Sequence, residues 1–295
     1  MKIQERGRVL IDNWPVLIIT ALLAYTYLDT FKWMIVRWLK ADSYYSHGFI
    51  IPFISAYLIW KDRSYIQDKG QSDSWGTNLG LVLLTGGAGL HCAGVLFKIL
   101  FLSGISLVIL LLGMVFYIYG SEVGRKLLFP VLFLFAMVPL PLSLIADLSL
   151  KLKLFVAGLA TWTVSLMGIV ALREGSFIHF SNDSIIVGDV CSGLRSIIAL
   201  LAFGALFAYV SDLSRTMRAV LFLSSVPIAL LSNSVRVVAV CLIANQWGSK
   251  VATGRVHDLT GILIFIVAFI LFFSLEKQLH VLEQALFKTE KDSSE

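Results

Sequence analysis

The stretch ILFLSGISLVILLLGMVFYI at residues 99–118 decides the fold class of this chain. Its 20 residues include no charged side chain, and a helix needs about 20 largely apolar residues to cross the hydrocarbon core of a bilayer. Over the whole chain of 295 residues, 58% are hydrophobic and 15% are charged, whereas about a quarter of the residues in a soluble domain are charged. The sequence therefore predicts an all-α polytopic membrane protein.

Apolar runs bounded by charged residues or glycine predict about eight transmembrane helices. These runs lie at 14–28, 47–60, 78–97, 99–118, 127–146, 194–210, 219–245 and 258–275. The aromatic and basic segment 30–46 is expected to lie at the membrane interface. The stretch 147–172 carries one aspartate and two lysines in its first turns. It is expected to lie along the surface or dip into the bilayer rather than cross it.

The number of crossings sets the side of the membrane on which the termini lie. With eight crossings, both termini share one side. Thirteen lysines and arginines lie near that side and nine near the other, with Arg195 and Arg236 left out of the count. The positive-inside rule therefore favours cytoplasmic tails at 1–13 and 276–295.

The same count places the loops 171–193 and 246–257 outside the cytoplasm. If the stretch 147–172 crosses the bilayer instead, Cys191 shares the side of the N-terminus. No segment repeats with a fixed period, so residues 1–295 are predicted to form a single membrane domain.

The net charge of +5 is not a sign of nucleic-acid binding. The basic residues stand in short clusters between apolar runs, a pattern typical of loops beside anionic membrane lipids. The histidines and the three cysteines form no zinc-binding spacing such as Cys-x-x-Cys or His-Glu-x-x-His. We therefore expect no nucleic-acid partner, no metal and no other cofactor.

Residues 175–188 (GSFIHFSNDSIIVG) alternate in polarity around Ser181-Asn182-Asp183, which predicts a short β-hairpin. Such backbone does not face lipid, so the hairpin is expected to cap the bundle on its non-cytoplasmic side. It would deliver Cys191 to the start of the next helix.

Cys191, in GDVCSGLRS, is the cysteine with polar neighbours. Ser192 or Asp189 is predicted to cap a helix that begins near Cys191, so that free backbone N–H groups lie close to the sulfur. Arg195 would follow one turn later, and both features favour the thiolate. The alternative from these residues alone is a small interfacial cysteine with Arg195 as a headgroup anchor.

Asn233 and Arg236 interrupt a long apolar run and share one helix face. An unpaired arginine in a bilayer costs at least about 2.5 to 3.5 kcal/mol, so Arg236 is expected to face the bundle interior. The alternative is an arginine that snorkels to lipid phosphate.

His257 and Asp258 open the last predicted span, on the same side as Cys191 in the eight-crossing topology. An imidazole titrates near neutrality and can carry a proton to or from a thiol or a leaving amine. Asp258 would orient the ring or cap the helix, whereas a lone histidine at a membrane boundary is more often interfacial.

Four elements in a fixed order resemble the exosortase family of integral membrane cysteine transpeptidases. They are SHGFIIPFISAYLIW at 46–60, CSGLRS at 191–196, Asn-x-x-Arg at 233–236, and His257 heading a final apolar helix. The resemblance covers the core from about residue 40 to 275. A histidine at the last position favours the bacterial branch.

The resemblance implies an enzyme of the bacterial inner membrane whose active site faces the periplasm. Its substrates would be exported proteins that end in a Pro-Glu-Pro motif, a transmembrane helix and a basic cluster, and the acceptor nucleophile is unknown. By position, Cys191 is the nucleophile that forms a thioester, Arg236 stabilises the oxyanion, and His257 is the general acid and base. The supporting residues are Arg195, Asn233, Ser192 and Asp258.

Two other functions stay open at this point. Water could resolve the thioester, which would make the protein a membrane endopeptidase only. A transporter whose pathway is lined by Asn233, Arg236 and His257 needs no thiol chemistry, although the internal repeats found in many transporters are not apparent.

Overall fold

The computed structural model describes residues 21–40, 43–181, 183–188, 193–253 and 255–292, and excludes the side chains of residues 253–259, 263 and 287–292. The described chain is mostly helical, with one small sheet. Four of its helical segments are long and apolar enough to cross a bilayer: Ser74–Leu96, Leu100–Lys126, Arg215–Trp247 and Thr260–Leu286. A fifth crossing results if Leu128–Met137 and Leu142–Leu166 form one broken span. The chain is therefore a multi-pass membrane protein. Its described residues provide four or five candidate spans, whereas the sequence predicts about eight.

Contacts divide the chain into two compact units, of which the first comprises residues 1–40 and 46–139. Its helices are α1 (Leu28–Leu39), α2 (Ile51–Lys61), α3 (Arg63–Lys69), α4 (Ser74–Leu96), α5 (Leu100–Lys126) and α6 (Leu128–Leu132), with short 3₁₀ helices at Ser46–Phe49 and Phe133–Met137. The second unit comprises residues 41–45 and 140–295.

The first helix differs from the sequence prediction. Helix α1 occupies the segment that was expected to be interfacial, and helical backbone already precedes it at residues 21–26. It buries Thr30, Met34 and Trp38 along one face. The predicted span 14–28 therefore has the wrong C-terminal boundary, and its first residues lie outside the described chain.

Helices α4 and α5 form an antiparallel hairpin that turns at Lys98, whose φ is 57°. Gly80, Gly87 and Gly94 recur every seven residues along α4, on the face toward α5. A Cβ atom on Gly80 would lie 2.6 Å from the backbone N of Tyr117, and one on Gly94 would lie 2.9 Å from that of Ser103. Small residues thus let the two backbones approach closely, as in many membrane helix pairs.

A buried hydrogen-bond network joins α1 to this hairpin. The hydroxyl of Ser103 contacts the hydroxyl of Thr30 at 2.6 Å and Nδ1 of His91 at 2.8 Å. The Tyr27 hydroxyl lies 2.8 Å from that of Ser106, and the Tyr27 and His91 rings lie 4.2 Å apart between centroids. These buried polar side chains thus satisfy one another's hydrogen-bonding capacity.

The predicted span 127–146 is wrong in its boundaries. The helical backbone stops at Met137 and the chain becomes extended at Val138. A proline disfavours the helical conformation of the residue before it, and Pro139 and Pro141 follow at once. A new helix, α7 (Leu142–Leu166), then begins at Leu142, so residues 147–166 belong to a regular helix of 25 residues and not to a separate surface segment.

Among the described residues, the second unit holds α7, a three-stranded sheet and five further helices. The strands are β1 (Ala171–Glu174), β2 (Phe177–Phe180) and β3 (Ser184–Ile186), and the helices are α8 (Leu194–Val210), α9 (Arg215–Leu223), α10 (Ser225–Trp247), α11 (Ser249–Thr253) and α12 (Arg255–Asp292). Helix α8 matches its predicted bounds. Helix α12 continues through most of the predicted tail.

The sheet is antiparallel in the order β1–β2–β3, with Ile178 opposite Arg173 on one side and Ile185 on the other. It therefore has one strand more than the hairpin predicted over 175–188. Ile178, Phe180 and Ile185 are buried in a cluster with apolar residues of α7 and α10, including Val156, Ala160, Val237 and Cys241. The sheet thus packs against both helices through one apolar face.

Candidate active site

The site residues predicted from sequence fall into three groups. Asn233, Arg236 and Arg195 lie in helices with described side chains. His257 and Asp258 lie in the first turn of α12, but their side chains are outside the described part of the chain. Cys191, together with Ser192 and Asp189, lies outside the described residues altogether.

Helix α8 begins at the first residue of its predicted span, 194–210, and not near Cys191. Its first residue is Leu194, and the N-cap position belongs to Gly193, which has a φ of +82° and forms no side-chain cap. The predicted capping role of Ser192 or Asp189 lies outside the described residues. Glycine adopts this left-handed backbone without the steric cost that a Cβ atom brings, and Arg195 is the second residue of the helix.

The side chain of Asn233 packs against the start of α8. Asn233 is completely buried, and a Cβ atom on Gly193 would lie only 2.7 Å from its Nδ2 and 2.9 Å from its Cγ. A larger residue at position 193 would meet this side chain directly. Helix α10 and the backbone that follows Cys191 are therefore in contact through Asn233.

Arg236, one turn after Asn233 on α10, points toward α12. Its guanidinium is almost completely buried, with 6% of the residue exposed, and its Nε donates a hydrogen bond to the hydroxyl of Thr260 at 3.4 Å. A Cβ atom on Gly261 would lie 3.9 Å from Nη2 of the same arginine. The arginine thus lies within the unit, against the N-terminal part of α12.

Thr260 and Gly261 stand three and four residues after His257 on the same helix. Side chains at these spacings share a helix face, so Arg236 lies against the face of α12 on which position 257 is found. Sequence reasoning did not identify Thr260. The available signal was its spacing from His257, in the phrase HDLTG.

Asp183 joins two loops at one end of the second unit. Its Oδ2 accepts a hydrogen bond from the backbone N–H of Ser249 at 2.5 Å, and its Oδ1 accepts one from Ser184 at 2.7 Å. The Ser249 bond, together with that of Ser184, lowers the pKa of the carboxyl below its ordinary value. The turn after β2 and the connection between α10 and α11 therefore lie at the same end, as the predicted spans require.

The described residues contain no group of three or more histidine, cysteine, aspartate or glutamate residues that could hold a metal ion. Two cysteines have described surroundings: Cys92 is exposed and Cys241 is buried. Cys241 lies in the apolar cluster under the sheet, where a thiol behaves as a small hydrophobic group.

Comparison with protein families identifies one match. The family model described as transmembrane exosortase (Exosortase_EpsH) matches residues 38–274, nearly the same range as the resemblance carried by the motifs. No curated protein and no solved structure matches the chain.

Proposed function

The chain belongs to the transmembrane exosortase family, whose members are membrane cysteine peptidases, and on this premise we propose that it is a sorting transpeptidase. Its substrates are exported proteins that end in a Pro-Glu-Pro motif, a transmembrane helix and a basic cluster. It removes this tail in the bacterial inner membrane and transfers the protein to an acceptor in the envelope or extracellular matrix.

The placement of Arg236 is the observation that carries this proposal. A buried guanidinium at the N-terminal part of α12, next to Thr260, has a reason to be there if negative charge develops beside it during the reaction. On one side it adjoins the helix face of position 257. On the other side, Asn233, which lies on α10 together with Arg236, packs on Gly193.

Chain connectivity limits how far the proposed nucleophile can be from this arrangement. Two peptide units separate position 191 from Gly193, and consecutive Cα atoms are about 3.8 Å apart. The Cα atom of Cys191 therefore lies within about 7.6 Å of a residue that touches Asn233. This reach supports placing the thiol beside the buried arginine.

The residue types suggest the order of steps. The thiolate of Cys191 attacks the scissile carbonyl carbon, and the carbonyl π electrons move onto oxygen to give a tetrahedral oxyanion. The planar guanidinium of Arg236 donates hydrogen bonds to that oxygen. The intermediate collapses to a thioester as the C–N bond breaks, and His257 in its protonated form donates the proton to the leaving amine.

The second half-reaction regenerates the thiolate. His257, now neutral, removes a proton from the incoming nucleophile, which attacks the thioester carbonyl and expels the sulfur of Cys191. With an amine or hydroxyl of an acceptor the product is a new covalent conjugate, and with water it is a free carboxylate. Mass spectrometry of the processed C-terminus distinguishes transfer from hydrolysis.

The decisive experiment compares two cysteine variants. A purified protein in lipid is incubated with a reporter carrying the sorting tail, and cleavage is followed for the wild type, Cys191→Ala and Cys92→Ala. We expect Cys191→Ala to abolish cleavage and Cys92→Ala to retain it, because Cys92 is an exposed residue of α4, a helix that carries none of the proposed site residues. Normal cleavage by Cys191→Ala would overturn the proposal, and a transporter function would then have to be tested.

A further inference from the structure

A carboxylate with no assigned role connects the two chain segments that carry the proposed nucleophile and the proposed proton carrier. Asp183 follows β2 and precedes β3, and its hydrogen bond to Ser249 joins positions 66 residues apart. Strand β3 ends at Ile186, five residues before Cys191. Ser249 opens α11, eight residues before His257.

We propose that Asp183 is a positioning residue, which acts as a clamp that sets the separation between Cys191 and His257. The inference rests on the proposed function, since it needs both groups to take part in one reaction. The observation behind this inference is separate from the one behind the proposed function, because it concerns the hydrogen bonds of Asp183 and not the placement of Arg236.

One side of the clamp is firmly held. The sheet buries Ile178 and Ile185 against α7 and α10, and the backbone N–H of Val187 donates to the carbonyl of Ser176 at 2.9 Å just beyond β3. These contacts tie the strand that leads to Cys191 to the helix that carries Arg236. The strand is therefore a rigid support for Asp183.

The other side of the clamp is the turn between α10 and α11. Helix α10 ends at Trp247, and Gly248 turns the chain with a φ of +85° before the short helix α11. A Cβ atom on Gly248 would lie 3.6 Å from Oδ2 of Asp183, so the carboxylate sits directly on this turn. Because the turn leads into α12, its position affects where the first turn of α12, with His257, begins.

The bond to Ser184 alone would be an ordinary local turn contact. An aspartate or asparagine side chain often accepts a hydrogen bond from a neighbouring backbone N–H in a turn, and an asparagine would serve as well. The carboxylate of Asp183 uses its second oxygen for the N–H of Ser249, and the Ser249 side chain also hydrogen-bonds to it. An amide has one acceptor oxygen, so it cannot reproduce both backbone contacts.

The test measures kcat and KM for the sorting-tail reporter in the wild type, Asp183→Ala, Asp183→Asn and the control Glu174→Gln. Glu174 is an exposed acid of the same sheet, and its carboxylate lies 3.6 Å from Nε2 of His179. Because a misplacement of about 1 Å can cost about 100-fold in rate, we expect Asp183→Ala to lower kcat by about 10- to 100-fold. The kcat of Asp183→Asn should lie between that of Asp183→Ala and that of the wild type, and KM should change little in either variant.

Hydrogen exchange supplies a readout that does not depend on catalysis. The amide of Ser249 should exchange faster in Asp183→Ala than in the wild type or Glu174→Gln. A normal kcat with faster exchange would show that the clamp does not position the site, and unchanged exchange would show that no clamp exists. A raised KM at normal kcat would assign Asp183 to substrate contact, which also overturns the proposal.

The two proposals fail in different ways. If Cys191→Ala still cleaves the reporter, the proposed function fails, whatever the exchange of Ser249 shows. If Cys191→Ala is inactive while Asp183→Ala cleaves at the normal rate, only the clamp fails.

Discussion

Arg236 combines a full charge with burial in a membrane protein, and its Nε donates a hydrogen bond to the hydroxyl of Thr260. A lysine keeps the charge but replaces the planar fork by a compact ammonium on a flexible stem. We expect Arg236→Lys to lower kcat for the sorting-tail reporter by about 100- to 1000-fold, the usual cost of losing an oxyanion donor. The control is Arg215→Lys on α9, and near-normal turnover of Arg236→Lys would contradict the oxyanion role.

Gly193 is the residue at which the entry to α8 is most constrained. Its φ of +82° and the 2.7 Å approach of Asn233 both exclude a Cβ atom. Gly193→Ala should therefore lower stability by about 1 to 2 kcal/mol, the cost of left-handed backbone for a residue with a side chain, and should slow cleavage. Thermal unfolding in detergent and the cleavage assay measure the two effects.

Gly188 provides the matched control for this substitution. Among the described residues, a Cβ atom on Gly188 would have no neighbour within 4 Å, and Gly188 has no positive φ. Gly188→Ala should leave both the unfolding temperature and the cleavage rate close to those of the wild type. Equal effects at the two glycines would show that general loop flexibility, and not contact with Asn233, accounts for the result.

At the scale of elements, Ser103 joins α5 to both α1 and α4. Removing its hydroxyl leaves Thr30 and His91 without this shared partner, and an orphaned buried polar group costs about 1 to 3 kcal/mol. We expect Ser103→Ala to lower the free energy of unfolding by about 1 kcal/mol or more. Thr85→Ala is the control, because the Thr85 hydroxyl donates to carbonyls of its own helix, and an equal loss there would contradict the network's role.

The start of α4 makes a prediction about pH. Helix α5 is broken at Gly120, where φ is +78°, and the next N–H, that of Ser121, donates to Asp73 at 2.6 Å. This bond and a second one from Gly76 hold the pKa of Asp73 below its ordinary value of 3.8. The ionised carboxylate therefore stabilises the fold above pH 3.8, and this contribution is lost as the pH falls through the lowered pKa.

Thermal unfolding of the wild type and Asp73→Asn between about pH 7 and about pH 3 tests this sign. The wild type should be the more stable protein near neutrality, and its advantage should shrink at the acid end of the range. An advantage that stays constant or grows toward low pH would show that the charge of Asp73 does not carry the effect.

Composition and apolar length were sufficient to predict α4, α5 and α8, because each contains a long uncharged run. They misplaced α7, because the predicted span ended at residue 146, just before the charged residues Asp147 and Lys151. Those two side chains are exposed and one turn apart on a helix face, so they do not interrupt it. The better signal was Pro139 and Pro141, which end the preceding helical segment.

Residues of the candidate site were predictable from the sequence only where a charged or polar residue interrupts an apolar run. Arg236 met that condition and is buried as a charged group in a bundle should be. Thr260 and Asp183 did not, since a threonine in a helix and an aspartate in a turn are common. The contact of Thr260 with Arg236 and that of Asp183 with Ser249 depend on tertiary packing. The spacing of residues along the chain does not reveal such contacts.

At the scale of the whole molecule, the lengths of the helices lead to a prediction about membrane topology. Residues 128–137 would extend about 15 Å as a helix and α7 about 37 Å, against a hydrocarbon core of about 30 Å. The first segment is too short to cross alone, so we predict that the chain between Glu122 and Glu174 crosses the bilayer once. A single crossing would keep the orientation expected for eight crossings, with the crossing made by α7 and not by 127–146.

Two variants, each with one introduced exposed cysteine, test this orientation. Glu122→Cys and Glu174→Cys are placed in a chain with Cys92 and Cys191 replaced by alanine, while the buried Cys241 stays; both glutamates are exposed. We expect a membrane-impermeant maleimide to label Glu174→Cys in intact spheroplasts and Glu122→Cys only after permeabilisation. No apolar run long enough to cross lies between residues 174 and 191, so the label at 174 also reports the side of Cys191. Labelling of both variants from outside would require an even number of crossings between them, and would move the proposed nucleophile to the same side of the membrane as Glu122.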